Sequence, residues 1–275
     1  MQANPAILQH WKISKKDFDL NLALLKQHIN TNAVHDIRVA TKKLRAFLSL
    51  YMVLKKEPDW EFLFNNTKNL FDILGRHRDI EICLTQTISY EKETDCSCKE
   101  FRYYLQSLLK TTRAWANQDV HRYHKKDLAK VALLLKEDST LSDDNSFAGS
   151  LKAIIYSSVA ETKNNLRRPH LVRKNLKEIY YWIPLFADEN LEASWHLKEL
   201  HSILDDLGNW QDHEILDVRL RHFRKDYLPK TFNEYQLLKN FQIKIRHSKK
   251  VLLKSANSKA RRWMKMVADK EKSEA

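Results

Sequence analysis

Between Val34 and Leu54 the chain reads VHDIRVATKKLRAFLSLYMVL, and at 100° per residue Ile37, Ala40, Leu44, Phe47, Leu48, Tyr51 and Leu54 fall along one side. This spacing predicts a helix that buries that side. Opposite it, His35, Arg38, Lys42 and Arg45 fall within roughly 80° of one another and span about 15 Å at 1.5 Å per residue. The face is a ladder of cationic or protonatable donors, a shape suited to an extended anion.

The same period predicts the other elements. A first helix runs from Pro5 to His28 with Trp11, Phe18, Leu22 and Leu25 inward, and Thr31 and Asn32 close it and cap the next. The Val34–Leu54 helix stops at Lys55, Lys56 and the Glu57-Pro58 step, where Pro58 starts a long helix to about Tyr90. Within that helix lies Leu74-Gly75-Arg76-His77-Arg78-Asp79, and a glycine there costs roughly 1 kcal/mol against alanine, so Gly75 is expected to permit close helix approach. A fourth helix is expected from Ser97 to Lys136. Residues 137–146, EDSTLSDDNS, are polar, acidic and aperiodic, and form a linker between a first half, 1–136, and a second, 147–275. Patterning resumes from Phe147 to Arg168, Pro169 presets another helix, and a last helix runs from about Thr231 to Ala268, leaving DKEKSEA as a frayed tail. Leu238, Phe241, Ile245, Leu252, Trp263 and Val267 supply the buried side of that last helix.

Composition narrows the class. With 3 glycines and 5 prolines in 275 residues the chain has too few turn residues for a hairpin-rich sheet protein, so an all-α fold is expected. No apolar run reaches the 18 or so residues of a membrane span, and the opening residues lack a secretory pattern; a cytoplasmic protein is expected. The 3 cysteines, Cys83, Cys96 and Cys98, fit no disulfide framework, and the single residue between Cys96 and Cys98 does not suit a zinc knuckle. No metal or cofactor is expected. The net charge of +13 favours a polyanionic partner.

Two motifs recur in order. His170-Leu-Val-Arg173-x-x-x-Lys177 repeats His35-Asp-Ile-Arg38-x-x-x-Lys42 at an offset of 135 positions, with Val172, Ile179, Trp182, Ile183 and Phe186 in the places of Ile37, Leu44, Phe47, Leu48 and Tyr51. Leu207-Gly208-Asn-Trp-Gln-Asp212-His-Glu214 repeats Leu74-Gly75-Arg-His-Arg-Asp79-Ile-Glu81 at an offset of 133. The pattern is that of a duplicated unit of four helices. In the second copy Tyr180 stands where the first has Arg45, Glu178 where it has Lys43, and Pro184 is expected to end the helix early.

At these residues the chain resembles the CHAD family, the conserved histidine α-helical domain, over essentially its whole length. The resemblance implies a single domain of two four-helix bundles related by a pseudo-two-fold, basic surfaces that bind inorganic polyphosphate, and a targeting or scaffolding role at polyphosphate granules. Family members are binding modules, sometimes found beside triphosphate tunnel enzymes, and are not established catalysts.

The residues themselves support a binding reading. Ile37 to Lys56 holds six basic residues and no acid, whereas a face made only for solubility mixes signs. Arginine and lysine at successive turns can pair with successive phosphates through charge-assisted hydrogen bonds. The expected contacts are His35, Arg38, Lys42 and Arg45, then His170, Arg173 and Lys177, with Arg76 and Arg78 joining and Arg246 and Lys250 of the basic last helix extending the surface. His35 and His170 serve either as structural hydrogen-bonders, for example to Asp79 and Asp212, or as direct phosphate ligands. Asp79 and Asp212 either orient the basic stripes or pair locally with Arg76 and Asn209. Two competing readings are a nucleic-acid binder, with Tyr103, Tyr104, Tyr180 and Tyr181 as stacking residues, and a magnesium-dependent phosphohydrolase built on Asp205, Asp206, Asp212 and Glu214. The chain contains no glycine-rich phosphate loop, His-Glu-x-x-His or nucleophile elbow.

Overall fold

The computed structural model describes residues 5–55, 61–137, 144–186 and 195–274, and all its regular structure is helical. In chain order the helices are α1 (Pro5–Gln27), α2 (Thr31–Lys55), α3 (Asn65–Thr94), α4 (Lys99–Arg122), α5 (Lys126–Glu137), α6 (Asp144–Asn164), α7 (Pro169–Trp182), α8 (Leu197–Asp226) and α9 (Asn233–Glu274). Single 3-10 turns occupy Glu61–Phe64 and Ile183–Leu185. The Glu57-Pro58 step and linker residues 138–143 lie outside the described residues.

Apolar spacing placed α1, α2, α7 and α9 well, and Trp11, Phe18, Leu22 and Leu25 are all buried. The caps differ. Asn30, not Thr31 or Asn32, starts α2, its Oδ1 accepting the Ala33 amide at 2.8 Å, as a first-turn donor requires. Pro169 opens α7, and Pro184 lies in the 3-10 turn that ends it, so α7 has 14 residues where α2 has 25. Helix α6 begins at Asp144, inside the expected linker, and α9 carries the expected frayed tail as helix to Glu274.

The expected fourth helix is two helices. Tyr123 is extended (φ −64°, ψ 129°) and separates α4 from α5. Buried Asp127 in the first turn of α5 accepts the Thr67 amide at 2.8 Å and the Thr67 hydroxyl at 2.7 Å, satisfying an orphan donor in the first turn of α3. The Tyr123 hydroxyl lies 2.7 Å from the same Thr67 hydroxyl. The break is therefore held by residues 56 to 60 positions away.

Two apolar cores run across the halves of the chain. The larger takes α1, α2, α5, α6 and α7 with the first turns of α3 and α8, the last turns of α4 and the end of α9; the smaller takes later turns of α3 and α8 with the first turns of α4 and the start of α9. Thus α3 gives Leu70 and Leu74 to one core and Ile80, Cys83 and Tyr90 to the other, and α8 gives Leu200, Ile203 and Leu207 to one and Leu216, Leu220 and Phe223 to the other. The two Leu-Gly-x-x-x-Asp segments lie where one core gives way to the next. Helix α2 packs against α7 there, and α3 against α8. The Trp182 indole donates to the Ala46 carbonyl at 2.8 Å, tying the end of α7 to the middle of α2.

Candidate polyanion site

Ile37, Ala40, Leu44, Phe47, Leu48 and Tyr51 are buried, as the pattern of α2 requires. The opposite face is not an open surface. Arg38, Lys42 and Arg45 are half-buried against α7, which brings half-buried Arg173 and Lys177 to the same place. The two expected ladders therefore converge on one cluster. Lys42 is pushed down to about 6 by burial and by the charges of Lys177, Arg38, Arg173 and Arg45. Lys177 falls to about 8 through burial, Arg173 and Arg38, with Asp205 opposing. Desolvation disfavours a buried charge and like charges add to the penalty, so this is a cation cluster waiting for negative charge.

Arg38 is the most firmly placed member. Its Nη1 donates to the Phe71 carbonyl at 2.6 Å, and its guanidinium carbon lies 4.1 Å from the centre of the Phe71 ring. Gly75 makes room for it: a Cβ at that position would stand 2.4 Å from Nη1. The close approach expected at this glycine is made by a guanidinium from α2. Lys42 Nζ shares the ring at 5.8 Å.

Asp79 and Asp212 face each other across the site. Burial raises both carboxyls above their usual range; Arg38 pulls Asp79 back down and Arg173 pulls Asp212 down. Asp79 does not pair with Arg76, nor Asp212 with Asn209; each faces the arginine of its own half. Among the described residues, no ion pair within 4.0 Å joins Arg38, Lys42, Arg45, Arg173 or Lys177 to an acid. Glu178, which stands where the first copy has a lysine, faces Arg45 and Lys174 while burial raises its own carboxyl.

The remaining candidates divide. Exposed His35 makes no hydrogen bond among the described residues; partial desolvation and the charges of Arg78, Lys42 and Lys177 lower its affinity for a proton. Arg78 belongs to the cluster through His35 and Asp212, and also meets Glu81 at 3.4 Å. Exposed His170 lies edge-on to Trp210, ring centres 4.7 Å apart. Arg76 is exposed and outside the cluster's contacts. Arg246 is committed elsewhere: its Nε donates to Asp217 at 3.0 Å, and Asp217 also accepts from Lys249 and Gln242. Lys250 lies on the exposed side of α9.

Two groups escaped the sequence reading. His77 is fully buried, its Nδ1 3.1 Å from the Thr112 hydroxyl on α4 and its Nε2 3.7 Å from Glu81, whose carboxylate accepts from Thr31 at the start of α2. Its signal was its place in the buried stripe Thr67, Leu70, Leu74, His77, Ile80 and Cys83. Arg219 acts on Asp79 and Cys83, and lies two turns after Asp212 on α8.

The residues of the competing readings are dispersed. Tyr104 packs among Phe101, Phe223 and Tyr227, and Tyr181 is buried; Tyr180 packs on Tyr181 and His201, and only Tyr103 is well exposed. Asp206 pairs with Lys259, Glu214 with Lys249 and Asp205 with His201; Asp212 lies in the cluster, and Asp205 reaches it only through Lys177, so the four do not converge on one point. No helix of the described residues is long and apolar enough to cross a membrane.

A family model of the CHAD domain matches residues 16–221. The crystal structure of the CHAD domain from the plant Ricinus communis is similar to this chain at a TM-score of 0.74 and 17% identity, covering 94% of this chain and 92% of its own. No curated protein matches it.

Proposed function

We propose that this chain, which belongs to the CHAD family, binds inorganic polyphosphate without catalysis through the cluster formed where α2 and α7 meet over α3 and α8. The observation that carries the reading is the meeting of Arg38, Lys42, Arg45, Arg173 and Lys177 without an ion-pair partner among the described residues. A buried cation left unpaired is costly, and a chain bearing about one negative charge per phosphate relieves several such costs at once. His35 and Arg78 border the cluster and add donors, and the two aspartates hold the arginines against repulsion. With this ligand we propose a cytoplasmic place at polyphosphate deposits.

Arg38→Glu with Lys42→Glu is expected to weaken binding of long-chain polyphosphate at least tenfold, measured by filter retention or calorimetry, while circular dichroism shows the helical fold retained. Unchanged affinity would sink the assignment, as would displacement of polyphosphate by single-stranded RNA at equal phosphate concentration. Incubation with magnesium is expected to release no phosphate.

A further inference from the structure

Between Tyr235 and Ala268 the chain has ten lysines and arginines and no acid. Apart from Lys239 near the start of α9, the structure sorts them into two sets. Lys244 pairs with Glu93, Arg246 with Asp217, Lys249 with Asp217 and Glu214, and Lys259 with Asp206, all on the flanks of α9 that meet α3 and α8. Lys250, Lys254, Arg261, Arg262 and Lys265 are exposed and have no ion pair among the described residues. At 100° per residue Lys250, Lys254, Arg261 and Lys265 fall within about 60° of one another, opposite the buried stripe of Phe241, Ile245, Ala256 and Trp263, and they span about 22 Å of helix. Four of the five stand together on one open stretch of the α9 surface, with Leu253, Asn257 and Ser258 between them.

A face that only keeps a helix in water interleaves signs; this one has a single sign over the whole span. The residues between these cations are Leu253, Asn257 and Ser258, so the face offers no ring on which a base could stack. Its recognition is by charge along a line. We propose that the outer face of α9 is a second binding track for an extended phosphate polymer, built from Lys250, Lys254, Arg261, Arg262 and Lys265 and sharing no residue with the central cluster. It rests on the central reading for the identity of the polymer, and stands apart from it in residues. Arg246, expected from the sequence to extend the surface, is not part of it. Because these cations are exposed, affinity comes from counterion release and falls steeply with salt.

The test uses the full chain carrying Arg38→Glu and Lys42→Glu, probed with long-chain polyphosphate at two salt concentrations. Residual, salt-steep binding is expected, and adding Lys250→Glu, Lys254→Glu and Arg261→Glu should weaken it at least tenfold. The glutamine versions of the same three changes should weaken it less and in the same direction, with circular dichroism reporting the fold. No residual binding, or residual binding indifferent to the α9 changes, overturns the proposal; so does its displacement by single-stranded RNA at equal phosphate concentration. If instead the central changes leave binding at the wild-type level and the α9 changes remove it, the central assignment fails and the α9 track stands.

Discussion

Arg38 and Arg173 occupy the same place in the two copies of the motif, yet only one is docked. Arg38 has a carbonyl acceptor, a ring beneath it and a glycine that admits its guanidinium. At the matching positions of the second copy stand Leu204 and Gly208, and a Cβ at Gly208 would meet nothing within 4 Å. Arg173 is held instead by burial and by the field of Asp212. A recurring motif therefore does not mean recurring geometry: Phe71 and Gly75 give Arg38 a docking place that Leu204 and Gly208 do not give Arg173. The lysines differ as well, Lys42 falling to about 6 and Lys177 only to about 8: burial weighs on both, but Lys42 faces four like charges, while Lys177 faces Arg173 and Arg38 with Asp205 opposing them.

The largest test of this contrast is pH. A lysine whose folded affinity for a proton is depressed binds fewer protons folded than unfolded between about 6 and the ordinary lysine range, so its contribution to stability rises with pH across that window. Bound polyphosphate reverses the depression by supplying negative charge beside Arg38, Arg45, Arg173, Lys177, Asp79 and Asp212, the groups that face Lys42. Binding should therefore take up protons, and affinity should fall by up to about tenfold per pH unit between pH 7 and 9. Calorimetry in two buffers of different ionisation enthalpy measures the uptake. Lys42→Arg, which stays charged, should remove most of it at pH 7.5, whereas Lys177→Arg should remove a smaller share, centred near pH 8. Equal effects of the two would erase the distinction between the copies.

Much of this arrangement was legible in the chain, and the exceptions share a cause. Apolar period located α1, α2, α7 and α9 and their buried residues, and charge period found every cation of the central cluster except Arg219. Position along one helix cannot say what lies across from it. The α4–α5 break contains neither glycine nor proline and its apolar spacing runs on; it exists because Asp127 serves Thr67 on another helix. Arg246 and Lys250 look alike in sequence, and only the approach of Asp217 on α8 makes the first an ion-pair partner. Gly75 was correctly read as a place of close approach, but the group that approaches is the end of a side chain. His77 carries a signal of its own, since it falls on the buried stripe of α3, but it stands between two arginines in a segment whose charge pattern points outward.

The two glycines supply the next effect. Gly75→Ala puts a methyl 2.4 Å from Arg38 Nη1, a contact the flexible guanidinium can leave only by giving up the Phe71 carbonyl and ring. Hydrogen bonds to charged groups are worth about 1.5–3 kcal/mol, so polyphosphate affinity should drop by roughly tenfold or more. Gly208→Ala meets open space, should leave affinity unchanged, and should stabilise the fold by up to about 1 kcal/mol through helix propensity. Thermal unfolding and calorimetry on the pair read both quantities. A loss of affinity in Gly208→Ala as large as in Gly75→Ala would show that both arginines are docked.

The smallest effect isolates the ring. Phe71→Leu makes the first copy resemble the second at this position while leaving the backbone carbonyl in place, so Arg38 keeps its acceptor and loses only the aromatic face 4.1 Å away. A cation–π contact of this kind contributes about 1 kcal/mol, which corresponds to roughly fivefold in affinity. Leu204→Phe is the reciprocal change, and the open space over Gly208 leaves room for Arg173 to settle on a new ring. Tighter binding in Leu204→Phe, by up to the same factor, would mean that prepositioning is transferable between copies. Weaker binding in Phe71→Leu with no gain in Leu204→Phe would mean that Asp212 holds Arg173 too firmly to be redirected, and the asymmetry would then belong to the carboxylates as much as to the ring.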